Sequence, residues 1–213
     1  MNFTNTLQNN RMGDFSWSEF LAGSAVAKVV EEVVKYRRRK LETKFDLAEN
    51  LAEIAKLHHC MEDVVSSTFF ERFLILKAED SAGVLAAGKK LFVSVQYEKT
   101  SKDNEILTSV SSLIQRWEAD HYYYKMFSEM LSGEKVCLKV SEMPNCKLKD
   151  IYLMQGVQYC EVGHLMTTKD SSLVFYYSVA TTVKSEPKAE DRAILEGNIS
   201  IIKNIFAKHR KFY

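Results

Sequence analysis

Apolar residues recur along the N-terminal quarter of the chain at intervals of three and four. Trp17, Phe20, Leu21, Val26, Val29, Val30, Val33 and Val34 mark one face of a helix, with Ser16 or Ser18 placed to cap it. Before them, Met1 to Asp14 is polar and has no period, which reads as a tail or as a docking arm that orders only on a partner. A second stripe, Leu47, Leu51, Ile54, His58, Met61 and Val65, alternates spacings of four and three as a coiled-coil seam does. Ala48, Ala52 and Ala55 beside it are small enough for another helix to approach closely. The pattern divides the chain into a polar tail over 1–15, a helical extension over 16–46 and a main domain over 47–213.

The period changes at Phe69. Phe73 to Ala78 and Leu91 to Tyr97 are rich in β-branched and aromatic residues, with Gly83 and Gly88 between them, and predict two strands joined by a loop or hairpin. From about Asn104 to Leu131 the spacing of Ile106, Val110, Leu113, Trp117, His121, Tyr124 and Leu131 predicts one long helix, closed by Gly133. Val136 to Val140 reads as a strand, Pro144 to Met154 as an irregular or helical crossover, and Val157 to Leu165 and Leu173 to Val179 as further strands. Pro187 breaks the chain. Ala189 to His209 predicts a final helix with Leu195, Ile199, Ile202 and Phe206 on one face.

Charge changes the picture little. Lysine and arginine number 29 against 28 acidic residues, a formal net charge of +1, so no global field draws the chain to nucleic acid or anionic lipid. Lys35 to Lys40 is a basic run, but Glu31, Glu32 and Glu42 bracket it and no aromatic ladder accompanies it, which predicts a solvated helix face. The short apolar run Phe20 to Ala27 lacks the basic flank of a secretory signal, and no stretch reaches the roughly 18 apolar residues of a membrane span. Cys60, Cys137, Cys146 and Cys160 have neither zinc-ribbon nor disulfide-framework spacing. These features together predict a cytoplasmic protein.

Candidate chemistry is sparse. In His58-His59-Cys60-Met61-Glu62 neighbouring helical residues point about 100° apart, so only His58 and Glu62 share ligand spacing and no metal site is expected. Asp120-His121-Tyr122-Tyr123-Tyr124-Lys125 is the densest polar and aromatic group; on a helix His121 and Tyr124 share a face. Phosphate-loop, zinc-hydrolase and serine-hydrolase motifs are missing.

The order of elements and three local segments resemble the GAF family of small-molecule sensor domains over about Leu47 to Lys208. Val140-Ser-Glu-Met-Pro144 is similar to the strand end and loop after the third GAF strand. Leu148 to Val157 is similar to the short helix and glycine leading into the next strand, and Glu190 to Glu196 to the opening of the last helix. The signature of cyclic-nucleotide-binding members is absent, and Pro187-Lys188 stands where an aromatic and a hydroxyl cap are common. The resemblance implies an α/β (α+β) fold with a central antiparallel sheet flanked by helices. It also implies a pocket between the sheet and the Trp117 to Phe127 helix, under the Glu142 to Gly156 crossover. Trp117, His121, Tyr124, Tyr152 and Tyr159 are its expected ligand-binding residues.

Family members commonly dimerise through their first and last helices. That places an expected homodimer seam at Leu47, Leu51 and Ile54, joined by Leu195, Ile199 and Ile202, and leaves the earlier helix for a partner protein. The expected function is a non-catalytic regulatory or interaction module with no assigned catalytic residue and no named cofactor. Two other readings are a scaffold component without ligand, and a thiol reductase like free methionine sulfoxide reductase using Cys146 or Cys160, although the glycine-flanked cysteine motif of that branch is missing.

Overall fold

A computed structural model describes residues 51–80, 90–101, 106–133, 135–168, 171 and 173–209. The polar tail, the 16–46 helix with its basic run, Leu47 and the Gly83–Gly88 loop lie outside the described residues. Helix α1 occupies 51–67. It is followed by strands β1 (Arg72–Asp80) and β2 (Leu91–Thr100), the two-residue strand β3 (Trp117–Glu118) and helix α2 (His121–Leu131). Strand β4 (Val136–Lys139), a 3-10 turn (Val140–Glu142), helix α3 (Lys147–Met154), strands β5 (Tyr159–Thr167) and β6 (Leu173–Thr181), and helix α4 (Ala189–His209) complete the order.

The six strands form one sheet in the order β3-β2-β1-β6-β5-β4, with every neighbouring pair antiparallel. Central strands of such a sheet are covered on both faces and lose the apolar–polar alternation of an exposed strand. Accordingly, every residue of β6 after Leu173 is buried. On one face Leu74, Leu76, Val93, Val95, Val162 and Tyr176 pack under α2, α3 and the 106–116 segment. On the other, Phe73, Ile75, Tyr159, Phe175 and Tyr177 pack under α1 and α4. Gln96 in β2 and Leu165 in β5 fall at register shifts, each adding one residue to its strand.

Helices α1 and α4 are tied by polar contacts at the rim of their apolar layer. Asn198 Nδ2 donates to Asp63 Oδ2 at 2.7 Å, and Lys208 Nζ lies 3.1 Å from Glu53 Oε1. Asp191 closes the N-terminal end of α4, accepting from Lys188 N at 2.8 Å and from Phe69 N at 2.9 Å.

Two expectations need correction here. The long helix read over Asn104 to Leu131 is a helix only from His121 onward; Asn104 itself lies outside the described residues. Glu98 captures the segment before it, its carboxylate accepting from Val110 N, Ser111 N and Ser109 Oγ at 2.9, 3.1 and 2.6 Å. Arg116 then takes a left-handed φ of 50° as the chain turns into β3. Ser and Thr crowd this stretch, and their short polar side chains compete with helical backbone bonding.

The second correction concerns the seam. The buried face of α1 is Leu57, Cys60, Met61, Val64 and Val65, whereas Leu51 and Ile54 are 56% and 39% exposed. His58 is exposed too, meeting the Tyr97 ring edge-on at 5.6 Å rather than filling a seam. Leu195, Ile199 and Ile202 lie in the chain's own core. They already cover the sheet, so they are not a free surface for a second copy.

Candidate functional site

The candidate site lies between the sheet and helices α2 and α3. One carboxylate sets the start of both helices. Asp120 Oδ1 accepts from Tyr123 N at 2.9 Å, capping α2, while Oδ2 accepts from Lys147 N at 3.0 Å in the first turn of α3. N-terminal helix amides lack intrahelical acceptors, so a side-chain oxygen at this position stabilises the helix. The Cys146 Sγ adds a weaker cap on α3, accepting from Lys149 N at 3.4 Å. At the other end of α3, Gly156 takes φ +66°, a turn that a side chain would strain.

Helix α2 presents Tyr123, Met126, Phe127 and Met130 to the sheet. Helix α3 presents Leu148 and Tyr152. Between them and β1, β5 and β6 remains a cavity of about 20 Å³, room for about one water molecule. Arg72, Ile114, Trp117, Tyr152, Tyr176 and Ser178 are among its walls. The Trp117 ring meets Tyr123 edge-on at 5.2 Å, and the Tyr123 and Tyr176 hydroxyls hydrogen-bond to each other. Tyr152 Oη, Cys160 Sγ and Ser178 Oγ form a buried chain with steps of 3.1 and 3.2 Å.

Burial dominates the electrostatics of this layer. It pushes the Tyr123, Tyr152 and Tyr176 phenols far above their ordinary range, because a phenolate loses hydration there. It also raises the Cys160 thiol, although Ser178, Tyr152 and the Arg72 charge oppose the shift. Arg72 itself is 1% exposed, and its Nη1 donates to Gln155 Oε1 at 3.3 Å. Gln155 is held from the far side by Thr108 Oγ1, to which its Nε2 donates at 2.9 Å.

Of the five expected ligand-binding residues, Trp117 and Tyr152 line this cavity. His121 is exposed. Tyr124 is 39% exposed, its hydroxyl accepting from Leu91 N at 2.6 Å. Tyr159 faces the opposite layer, where it donates to Glu161. Strand parity explains that reversal: on β5 it is Cys160 and Val162, not Tyr159, that point toward α2 and α3. Arg72, Tyr176 and Ser178 went unread in the sequence, yet Arg72 stands two and four residues before Leu74 and Leu76 and so shares their face.

The sequence matches no family model and no curated protein. Solved structures do match. The photoproduct state of GAF3 from Slr1393 of Synechocystis sp. PCC6803 superposes with a TM-score of 0.53 at 8% identity, covering 75% of this chain and 96% of that one. The blue-light absorbing form of the Thermosynechococcus elongatus PixJ GAF domain gives 0.50 at 8% identity, over 78% of this chain and 94% of that one. The fold is GAF-like. Within that GAF-like body the cavity under α2 and α3 occupies the place that the resemblance assigns to a ligand pocket, but side chains fill most of it.

All four cysteines are free thiols. Cys60 and Cys160 are buried and Cys146 is half-buried at its cap, while Cys137 on the edge strand β4 is exposed. No group of three or more His, Cys, Asp or Glu residues among the described residues could hold a metal ion. No described helix is long and apolar enough to cross a membrane.

Proposed function

We propose that the chain is a non-catalytic regulatory module: a GAF-like body that assembles with a second protein chain through its N-terminal helices and has at most a small ligand in its core. The observation that carries this reading is the chemistry of the cavity. Its thiol and phenols are buried, mutually hydrogen-bonded and pushed toward their neutral forms, so none is prepared to act as a nucleophile or base near neutral pH. A reductase would need an exposed, activated thiolate with a second thiol in reach, and Cys146 instead spends its sulfur on the α3 cap.

Assembly is supported by the exposed Leu51 and Ile54 of α1, which precede along the helix the residues that pack on the sheet. Large side chains exposed together on one helix favour a partner surface. The homodimer arrangement built on this face uses Leu51 and Ile54 without the buried α4 residues. Static light scattering at tens of micromolar tests it. The wild type is expected above monomer mass and Leu51→Lys at monomer mass; a wild type that stays monomeric overturns the homodimer. Thioredoxin-coupled turnover of free methionine sulfoxide, lost in Cys146→Ser or Cys160→Ser, would instead establish the reductase reading.

A further inference from the structure

Arg72 is a buried cation with no ion-pair partner among the described residues. It sits at the start of β1 on the face covered by α2 and α3, and its side chain lines the cavity. Its Nη1 donates to a neutral amide oxygen, that of Gln155, and its Nε is buried with no hydrogen-bond partner among the described residues. Among the described residues it makes no ion pair. The buried Glu161 cannot serve, because it lies on the opposite face with Tyr159, Lys135 and Arg192.

A guanidinium stays protonated at any pH a folded protein tolerates. The groups around it cannot ionise to compensate, since burial keeps Tyr152 and Cys160 neutral even with Arg72 pulling the other way. Burying a charge without a counter-charge is costly, and proteins ordinarily avoid it. The cavity that Arg72 lines is mostly apolar, broken by the side chains of Tyr123, Tyr152, Tyr176 and Ser178, and holds space for about one water, the scale of a small anion.

We propose that the cavity beneath α2 and α3 is a site for a small monoanion, a halide or the carboxylate end of a small acid, held by Arg72 with Ser178 and the buried tyrosine hydroxyls around it. Arg72 also ties the start of β1 to Gln155 at the end of α3, so an anion that fixes the guanidinium would steady that tie. Half-buried Trp117 and Ile151 at its wall are the side chains that a larger acid would have to displace. The inference rests on the regulatory reading above, yet the two can fail separately: the anion is read from melting temperature, the assembly from mass.

The test is thermal unfolding of the full chain in sodium HEPES at fixed ionic strength, with chloride or formate replacing part of the buffer salt. A saturable rise in melting temperature is expected for the wild type, following mass action. Arg72→Met, which keeps volume and removes the charge, is expected to abolish it. A response to chloride alone assigns a halide site, and a response to formate at lower concentration assigns a carboxylate site. Should Arg72→Met not fold, calorimetric titration of formate and of chloride into the wild type decides, one saturable site per chain in either arm supporting the proposal. An equal rise in wild type and Arg72→Met, or no saturable response to either anion, overturns it.

Discussion

Replacing Asp120 perturbs two helices through one side chain. Each carboxylate oxygen accepts one backbone N–H, at 2.9 Å from Tyr123 and 3.0 Å from Lys147. The first turn of α2 carries no other acid, so Asp120 also supplies the negative charge that its helix dipole favours. A lost N-cap costs about 0.5 to 2 kcal/mol. Asp120→Ala removes two such bonds and is expected to destabilise the chain by about 2 to 3 kcal/mol, near 4 to 12 °C in melting temperature for a protein of this size. Asp120→Asn keeps one oxygen for α2 but turns an amide donor toward Lys147 N, so it should fall between, at about 1 to 2 kcal/mol. Urea unfolding gives both values. Hydrogen exchange should show the Tyr123 and Lys147 amides losing protection together in Asp120→Ala. An Asp120→Ala variant within about 0.5 kcal/mol of wild type, or one in which only Tyr123 is deprotected, would refute the shared cap.

Two further perturbations separate packing from titration. At Gly163 an added Cβ would lie 2.5 Å from the Tyr177 ring, which is buried and tilted against the Phe73 ring with centroids 6.1 Å apart, so Gly163→Ala should cost about 1 to 3 kcal/mol by urea unfolding. Its combination with Tyr177→Ala should be less than additive, and full additivity would mean that the ring is not the obstacle. His164 is held below its ordinary value first by burial and then by Lys203, with Thr167 Oγ1 2.9 Å from its Nε2. The unfolded chain therefore binds this proton more readily, and the associated stability is present above about pH 6.5 and lost as pH falls from there through the lower folded value. His164→Gln should flatten the fall in urea midpoint between pH 7.5 and 5.5; an unchanged slope would remove His164 as its source.

The second half of the fold was legible because its signals are local. Ala189 to His209 has a Pro before it and an unbroken apolar stripe, and β4, β5 and β6 are short β-rich runs between turns, so all stand near their expected positions. The 104–131 stretch misled because Ile106, Val110, Leu113 and Trp117 do fall at helical intervals, while the deciding contact comes from Glu98 on a distant strand position. On α1 the stripe continues from Leu51 and Ile54 into Leu57, Met61 and Val64, and where along it burial begins depends on where the sheet lies, which no helical period encodes. The candidate site was half legible. Aromatic density pointed to α2, but Arg72 stands just outside the Phe73 to Ala78 run read as a strand and was passed over.

The sheet order has a consequence for how the chain is made. β1 and β6 are central neighbours, Arg72 opposite Ala180, although β2 to β5 and two helices lie between them in sequence. On the ribosome β1 can pair with β2 early, but its other edge finds its partner only when β6 emerges. Until then a strand bearing Phe73, Leu74, Ile75 and Leu76 offers open backbone groups to any similar strand nearby. Chains stopped short of Leu173 should therefore collect in aggregates or be degraded. Synthesis that pauses between β5 and β6 is the interval in which a chaperone would matter most to this protein.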